Sequence, residues 1–255
     1  MNLELSPAAN SSSRRRFTWP GCIGAVLVGL MILLGCGGAF IGIGGLIFPD
    51  VANFSARLIG EITGVPVPET QPVSGDPAQF DPIAQYDAAA AFAGAGAQLV
   101  EFSANFVQSD GTVNLTAANY VPWVRYKFVR PTDPPANAPP IGTGGNSGGD
   151  WYEPVEIEAY QVGQRRTTSV YSGSARIRFQ WVNMGLTRQV KDKTTSVGTI
   201  LEAPRCSLAK LWNYALSQDV PAEAVAIIQY DANGYDFSIS GTPYRFRFDQ
   251  ACQPQ

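Results

Sequence analysis

The sequence predicts an α+β protein in which a single N-terminal transmembrane helix precedes an extracytoplasmic domain of two similar helix-plus-antiparallel-sheet units. Three observations predict it. No charged residue occurs between Gly21 and Phe48. From Leu99 onward, short runs alternating apolar and polar residues are separated by Gly, Pro, Asn and Asp, the pattern of half-buried strands. The order helix, strand, turn, strand, strand occurs twice, as a duplicated unit would require, although a coincidental recurrence stays open.

Composition removes several function classes. The chain of 255 residues contains no His, so Ser-His-Asp and Cys-His catalysis and imidazole metal ligation are excluded. A net charge of −3 and a pI near 5.0 argue against a nucleic-acid binder that neutralises many phosphates. Neither a cofactor nor a metal is expected.

Residues 1–16 read as a cytoplasmic tail and 17–48 as the membrane helix. As a helix, the uncharged run is about 42 Å long against a hydrocarbon core of about 30 Å. Arg14, Arg15 and Arg16 precede it, which keeps the N-terminus in the cytoplasm and places the rest outside. Of the net −3, residues 1–20 contribute +2 and the span nothing, so 49–255 hold −5. Two processing readings stay open. Leu33-Leu34-Gly35-Cys36 resembles a lipoprotein cleavage box that would acylate Cys36, although the chain stays apolar to Phe48. Ser13-Arg14-Arg15-Arg16-Phe17 resembles a twin-arginine export signal without a downstream A-x-A site. Gly35, Gly38, Ala39 and Gly42 place small side chains one turn apart, a surface for a partner helix or a second copy, or simply the high glycine content of membrane helices.

After Pro49, the spacing of Val51, Phe54, Leu58 and Ile62 predicts a short amphipathic helix over 49–63, lying on the outer leaflet or against a partner. Residues 64–82 carry Pro66, Pro68, Pro72, Pro77 and Pro82, read as an extended stalk. The first unit, 83–200, opens with a helix from Ile83 to Ala93 that stops at Gly94. Strands are expected at Leu99–Val107, at Thr112–Thr116 after the Asp110-Gly111 turn, and at Pro122–Arg130. Others follow at Val155–Tyr160, Thr168–Tyr171 and Ala175–Val182. Between them, residues 131–150 are half Pro and Gly and read as a mobile loop. The second unit, 201–255, predicts a helix at Ser207–Ser217, a break at Asp219-Val220-Pro221, and strands at Ala224–Tyr230, Tyr235–Ser240 and Tyr244–Phe248 around the Asn233-Gly234 turn.

The helix ending in a Val-Pro pair, then Ala224 to Tyr230, Asn233-Gly234-Tyr235 and Phe237-Ser238-Ile239, resembles a PepSY-type repeat. Residues 81–130 resemble it more loosely. The resemblance implies a small secreted or membrane-tethered domain that regulates or inhibits extracytoplasmic proteins, and it brings no catalytic residues.

Cys206 and Cys252 flank the second unit and can pair in an oxidising compartment, which would stabilise the fold by roughly 2–4 kcal/mol. Two free thiols or metal ligation are the alternatives. Gly145-Asn146-Ser147-Gly148-Gly149 imitates hydrolase motifs but has no His base. Ser207-Leu208-Ala209-Lys210 matches S-x-x-K, yet Ser207 reads more simply as a helix cap. Glu156 and Glu158 alternate with Val155, Ile157 and Ala159 as a solvated strand face, and Arg165 and Arg166 can pair with them. Arg125 and Lys127, Arg176 and Arg178, and Arg245 and Arg247 occupy alternate strand positions. On neighbouring strands these six would share one face and attract an anionic partner; on separate strands each pair is an ordinary wet face. The function expected is a non-enzymatic, membrane-anchored extracytoplasmic interaction or regulatory module, accessory to a membrane or envelope complex. The alternative is a tethered binding protein for a small or anionic ligand. The bilayer and a protein partner or second copy are expected partners; nucleic acid is not.

Overall fold

A computed structural model describes residues 53–54, 56–58, 60–61, 67–136, 150–172 and 175–255. Expectations for the tail, the uncharged run, Gly35, Gly38, Ala39 and Gly42 lie outside the described residues, as do 137–149 of the Pro/Gly loop. Among the described residues, no helix is long and apolar enough to cross a membrane. The single-pass helix expected from hydropathy is thus not among the described elements.

The strands are β1 (Glu69–Pro72), β2 (Gln98–Val107), β3 (Trp123–Thr132), β4 (Trp151–Tyr160), β5 (Arg165–Ser172), β6 (Ala175–Val182), β7 (Gly185–Val190), β8 (Ala226–Asp231), β9 (Gly234–Ser238) and β10 (Arg245–Phe248). The helices are α1 (Tyr86–Ala93) and α2 (Leu208–Ser217). Eight strands form one antiparallel sheet in the order β1-β7-β4-β3-β2-β8-β9-β10, and β5 and β6 form a separate two-stranded sheet. The two expected units are thereby corrected to a single, mostly antiparallel sheet. β2 from one half pairs with β8 from the other, Phe102 opposite Tyr230, so both halves contribute to one core.

That core lies on one face because side chains alternate along each strand. Val124, Tyr126 and Phe128 of β3 stand opposite Ala159, Ile157 and Val155 of β4, and all six are buried. The same face continues through Phe102, Ile228 and Phe237. Both helices cover it. Residues Ala89 and Ala93 of α1 are buried there, as are Leu208, Leu211, Trp212 and Ala215 of α2. Trp212 meets Phe237 edge-on at 5.1 Å. The α1 helix ends at Gly94, whose φ of +112° suits glycine and whose N–H reaches Ala90 and Ala91 carbonyls. A second glycine is required at Gly234 (φ +104°), where an added Cβ would strike the Phe248 carbonyl and the Asp249 backbone. This is the close approach of the β8–β9 turn to the C-terminal tail.

Several expectations change for identifiable reasons. Thr112–Thr116 is not a strand. Asp110 accepts from the Thr112 N–H and hydroxyl, closing a turn, and Val113 makes only isolated bridges, to Phe80 and Val107. The segment read as a stalk is partly domain: β1 pairs with β7, Pro72 opposite Gly185, and Phe80 is buried in the core. Pro72 is tolerated because β1 is an edge strand. β4 begins at Trp151 rather than Val155, and β7 was not expected at all. Among the helical residues 53–54, 56–58 and 60–61, Asn53 and Ala56 are buried while Phe54 and Leu58 are exposed, so Phe54 and Leu58 face away from the domain.

Candidate functional site

The sheet face opposite the helices carries charge instead of a core. Its middle row runs from Thr187 of β7 through Glu158, Arg125 and Ser103 to Gln229 and Asp236. Arg125 is the centre of this row. Its Nε lies 2.5 Å from Glu156 Oε1, and an Nη lies 2.6 Å from Glu158 Oε1. Its guanidinium also stacks 4.9 Å from the Trp123 ring. Burial by itself lowers the Arg125 pKa, but the Glu158 hydrogen bond and the charges of Glu156, Glu158 and Glu101 outweigh it and hold the group above its ordinary value. Lys127 pairs with Glu101 at 2.8 Å and Lys191 with Glu156 at 3.6 Å.

The six cations singled out in the sequence are not brought together. Arg125 and Lys127 share the open face with Arg245 and Arg247, but three strands lie between β3 and β10, four inter-strand spacings or about 19 Å. Arg245 and Arg247 approach Asp236, each at 4.0 Å. Arg176 and Arg178 belong to the other sheet. The carboxylates interleaved on β2, β4 and β9 therefore convert the expected cationic face into paired charges. Glu153 lies apart from Glu156 and Glu158: it pairs with Arg130 on the helix-covered face.

The hairpin β5–β6 is inserted between β4 and β7, which themselves pair directly, Ala159 opposite Leu186. Its base is pinned to the open face. Arg166 reaches Glu158 at 4.0 Å and lies 4.1 Å from the Tyr160 ring and 5.8 Å from Trp181. No carboxylate occurs between Glu158 and Asp192, so the whole insertion is cationic. Arg165, Thr167, Arg178 and Gln180 are all exposed, and the register puts all four on one face. Among the described residues, neither Arg165 nor Arg178 has a carboxylate partner.

No family model, curated protein or solved structure matches this chain. The PepSY-type resemblance lends no residue roles.

The S-x-x-K serine is occupied as a cap: Ser207 Oγ accepts the Lys210 N–H at 3.3 Å. Ser103 is buried within the sheet. No group of three or more metal-binding side chains converges among the described residues. Cys206 and Cys252 form a disulfide with Cα atoms 5.8 Å apart, joining the start of α2 to the tail beyond β10. A cleft of about 440 Å³ opens between that tail and the β8–β9 turn, lined by Asp231, Asn233, Asp236, Arg247 and Gln255. Sequence reasoning missed two parts of this region. The aromatic bed of Trp123, Tyr160 and Trp181 comes from three strands, so no local run reveals it. The docking of Asn53 at the hairpin base likewise joins residues far apart in the chain.

Proposed function

We propose that this chain is a non-enzymatic interaction or regulatory module that works outside the cytoplasm as an accessory to an envelope complex, and that the β5–β6 hairpin is the part it presents. The observation that carries this reading is the insertion itself. β4 and β7 are sheet neighbours, and antiparallel neighbours can be joined by a two-residue turn. Here the connection instead builds a second sheet whose exposed arginines have no carboxylate within the described chain. A two-stranded hairpin is marginal by itself, and unpaired cations on it do not hold the fold together. Both features fit a surface kept for binding. The resemblance of the C-terminal segment to PepSY-type repeats points toward regulation in the same way.

The location is part of the proposal. The Cys206–Cys252 disulfide suits an oxidising compartment, which supports a place outside the cytoplasm. Protease added to intact cells should reach the residues from 67 onward. Protection of that region would overturn the location.

The function is tested on the full-length chain purified from its own cells under non-reducing conditions. Native mass measurement should find a stoichiometric complex with a second polypeptide or a second copy. A monomer carrying a small molecule would favour the alternative, a ligand-binding protein, for which the cleft beside Asp231 and Asp236 is the candidate place. A hydrolytic activity lost on Ser207→Ala would refute the non-enzymatic reading outright.

A further inference from the structure

The outer edge of β6 already shows how it can be occupied. Asn53 Nδ2 donates to the Val182 carbonyl at 2.9 Å, and Asn53 Oδ1 accepts from the Val182 N–H at 2.8 Å. The side-chain amide thus pairs with Val182 as a neighbouring strand would. Asn183, one residue on, directs its N–H to Gln164 and its carbonyl to Gly163, on the β5 side. Backbone groups alternate between the two edges of a strand. Those of Gln180, Arg178 and Arg176 therefore point outward, in line with Val182. No strand among the described residues pairs with that edge.

We propose that the outer edge of β6 from Arg176 to Gln180 is a strand-addition site for an extended acidic peptide segment of a partner protein. Backbone pairing would supply the common part of the affinity. Selectivity would come from the face: residues directly opposite across an antiparallel pair share one face, so Asp or Glu at alternate positions of the incoming strand would lie over Arg178 and the register position of Arg176. Arg125 and Lys127 cannot serve in this way, because Glu156, Glu158 and Glu101 already take their charge. The inference rests on the interaction-module reading and names the partner chemistry for it.

The test uses the full-length protein and a ten-residue peptide alternating Glu and Val, with a Lys and Val peptide as control. The acidic peptide should bind with an affinity that falls as salt is raised, and it should slow hydrogen exchange at the amides of Arg176, Arg178 and Gln180. Arg178→Glu should weaken binding at least ten-fold. Gln180→Pro removes an outward N–H without touching the β5 ladder and should weaken it at least five-fold. The proposal is overturned if the acidic peptide does not bind, if the Lys peptide binds equally, or if binding occurs without amide protection. It is also overturned if phosphatidylglycerol vesicles are bound at Arg178 while the peptide is ignored. A native partner that stays bound to the Arg178→Glu variant would leave the interaction-module reading standing and remove this edge as its site.

Discussion

Asn53 and Val182, separated by 129 positions in the chain, exchange two hydrogen bonds through one side-chain amide. The contact fixes the helical turn at Asn53 to the base of the β5–β6 hairpin. Both partners are buried, so neither group can turn to water when the other is removed.

Asn53→Ala should leave the Val182 N–H and carbonyl buried without partners and destabilise the protein by about 1–3 kcal/mol. Asn53→Asp keeps the acceptor but sets a buried carboxylate against the Val182 carbonyl, so near neutral pH it should cost at least as much as Ala. Urea denaturation measures both. Midpoints indistinguishable from wild type would show that the clamp contributes nothing to stability.

Replacing Cys206 and Cys252 together with Ser should cost about 2–4 kcal/mol, because the bond closes a long loop in the unfolded chain. The C-terminal tail should loosen first. Its pairing with β10, through the Gln255 N–H to the Arg247 carbonyl and the Phe248–Pro254 bridge, lies next to Cys252. Hydrogen exchange of the Gln255 amide, compared with that of β9, distinguishes local release from global loss.

Arg125 and Glu158 should show a coupling energy of about 0.5–2 kcal/mol in a double-mutant cycle built from Arg125→Met and Glu158→Gln. The exposed pair Arg205 and Glu202, with side chains 79% and 72% accessible, should give close to zero. Equal couplings for the two pairs would remove any special standing of the Arg125 network.

Alkaline pH should weaken the fold through its buried tyrosines. Burial, reinforced by Asp81, raises the Tyr126 hydroxyl well above 10.0, and burial is also the main cause that pushes Tyr235 up to about 12. Both retain their protons in the folded state at pH values where the unfolded chain has released them. Their contribution is complete below pH 10 and is lost as pH rises toward 12 and beyond. Ultraviolet titration should show Tyr126 and Tyr235 ionising after the exposed tyrosines, with Tyr126→Phe removing one late step. The Tyr126 hydroxyl donates to the Pro82 carbonyl at 2.6 Å, so that variant also measures the bond.

The strands that were legible in advance, such as Trp123–Thr132 and Arg245–Phe248, carry their periodicity in their own residues. Val124, Tyr126 and Phe128 alternate with Arg125 and Lys127 whether or not a neighbour is known. Glu69–Pro72 carries no such signal. It is a strand because Gly185–Val190 offers an edge there, and its own polar and proline residues point to a linker. The expected cationic face failed for the same reason. Arg125 and Lys127 were visible, but the register that sets Glu158 and Glu156 beside them is a property of the assembled sheet.

By itself the sequence determined which segments form α1, α2 and the principal strands, the sharp turn at Asn233-Gly234, the absence of imidazole chemistry, and the two cysteines able to pair outside the membrane-like run. Local periodicity and residue chemistry suffice for each of these. Tertiary structure decided that both halves share one core through β2 and β8, that the charges on β3 are neutralised by β2 and β4, and that the outer β6 edge is met at Val182 by Asn53 and by no strand among the described residues. These depend on strand order and register, which are set by side-chain fit between segments far apart in the chain.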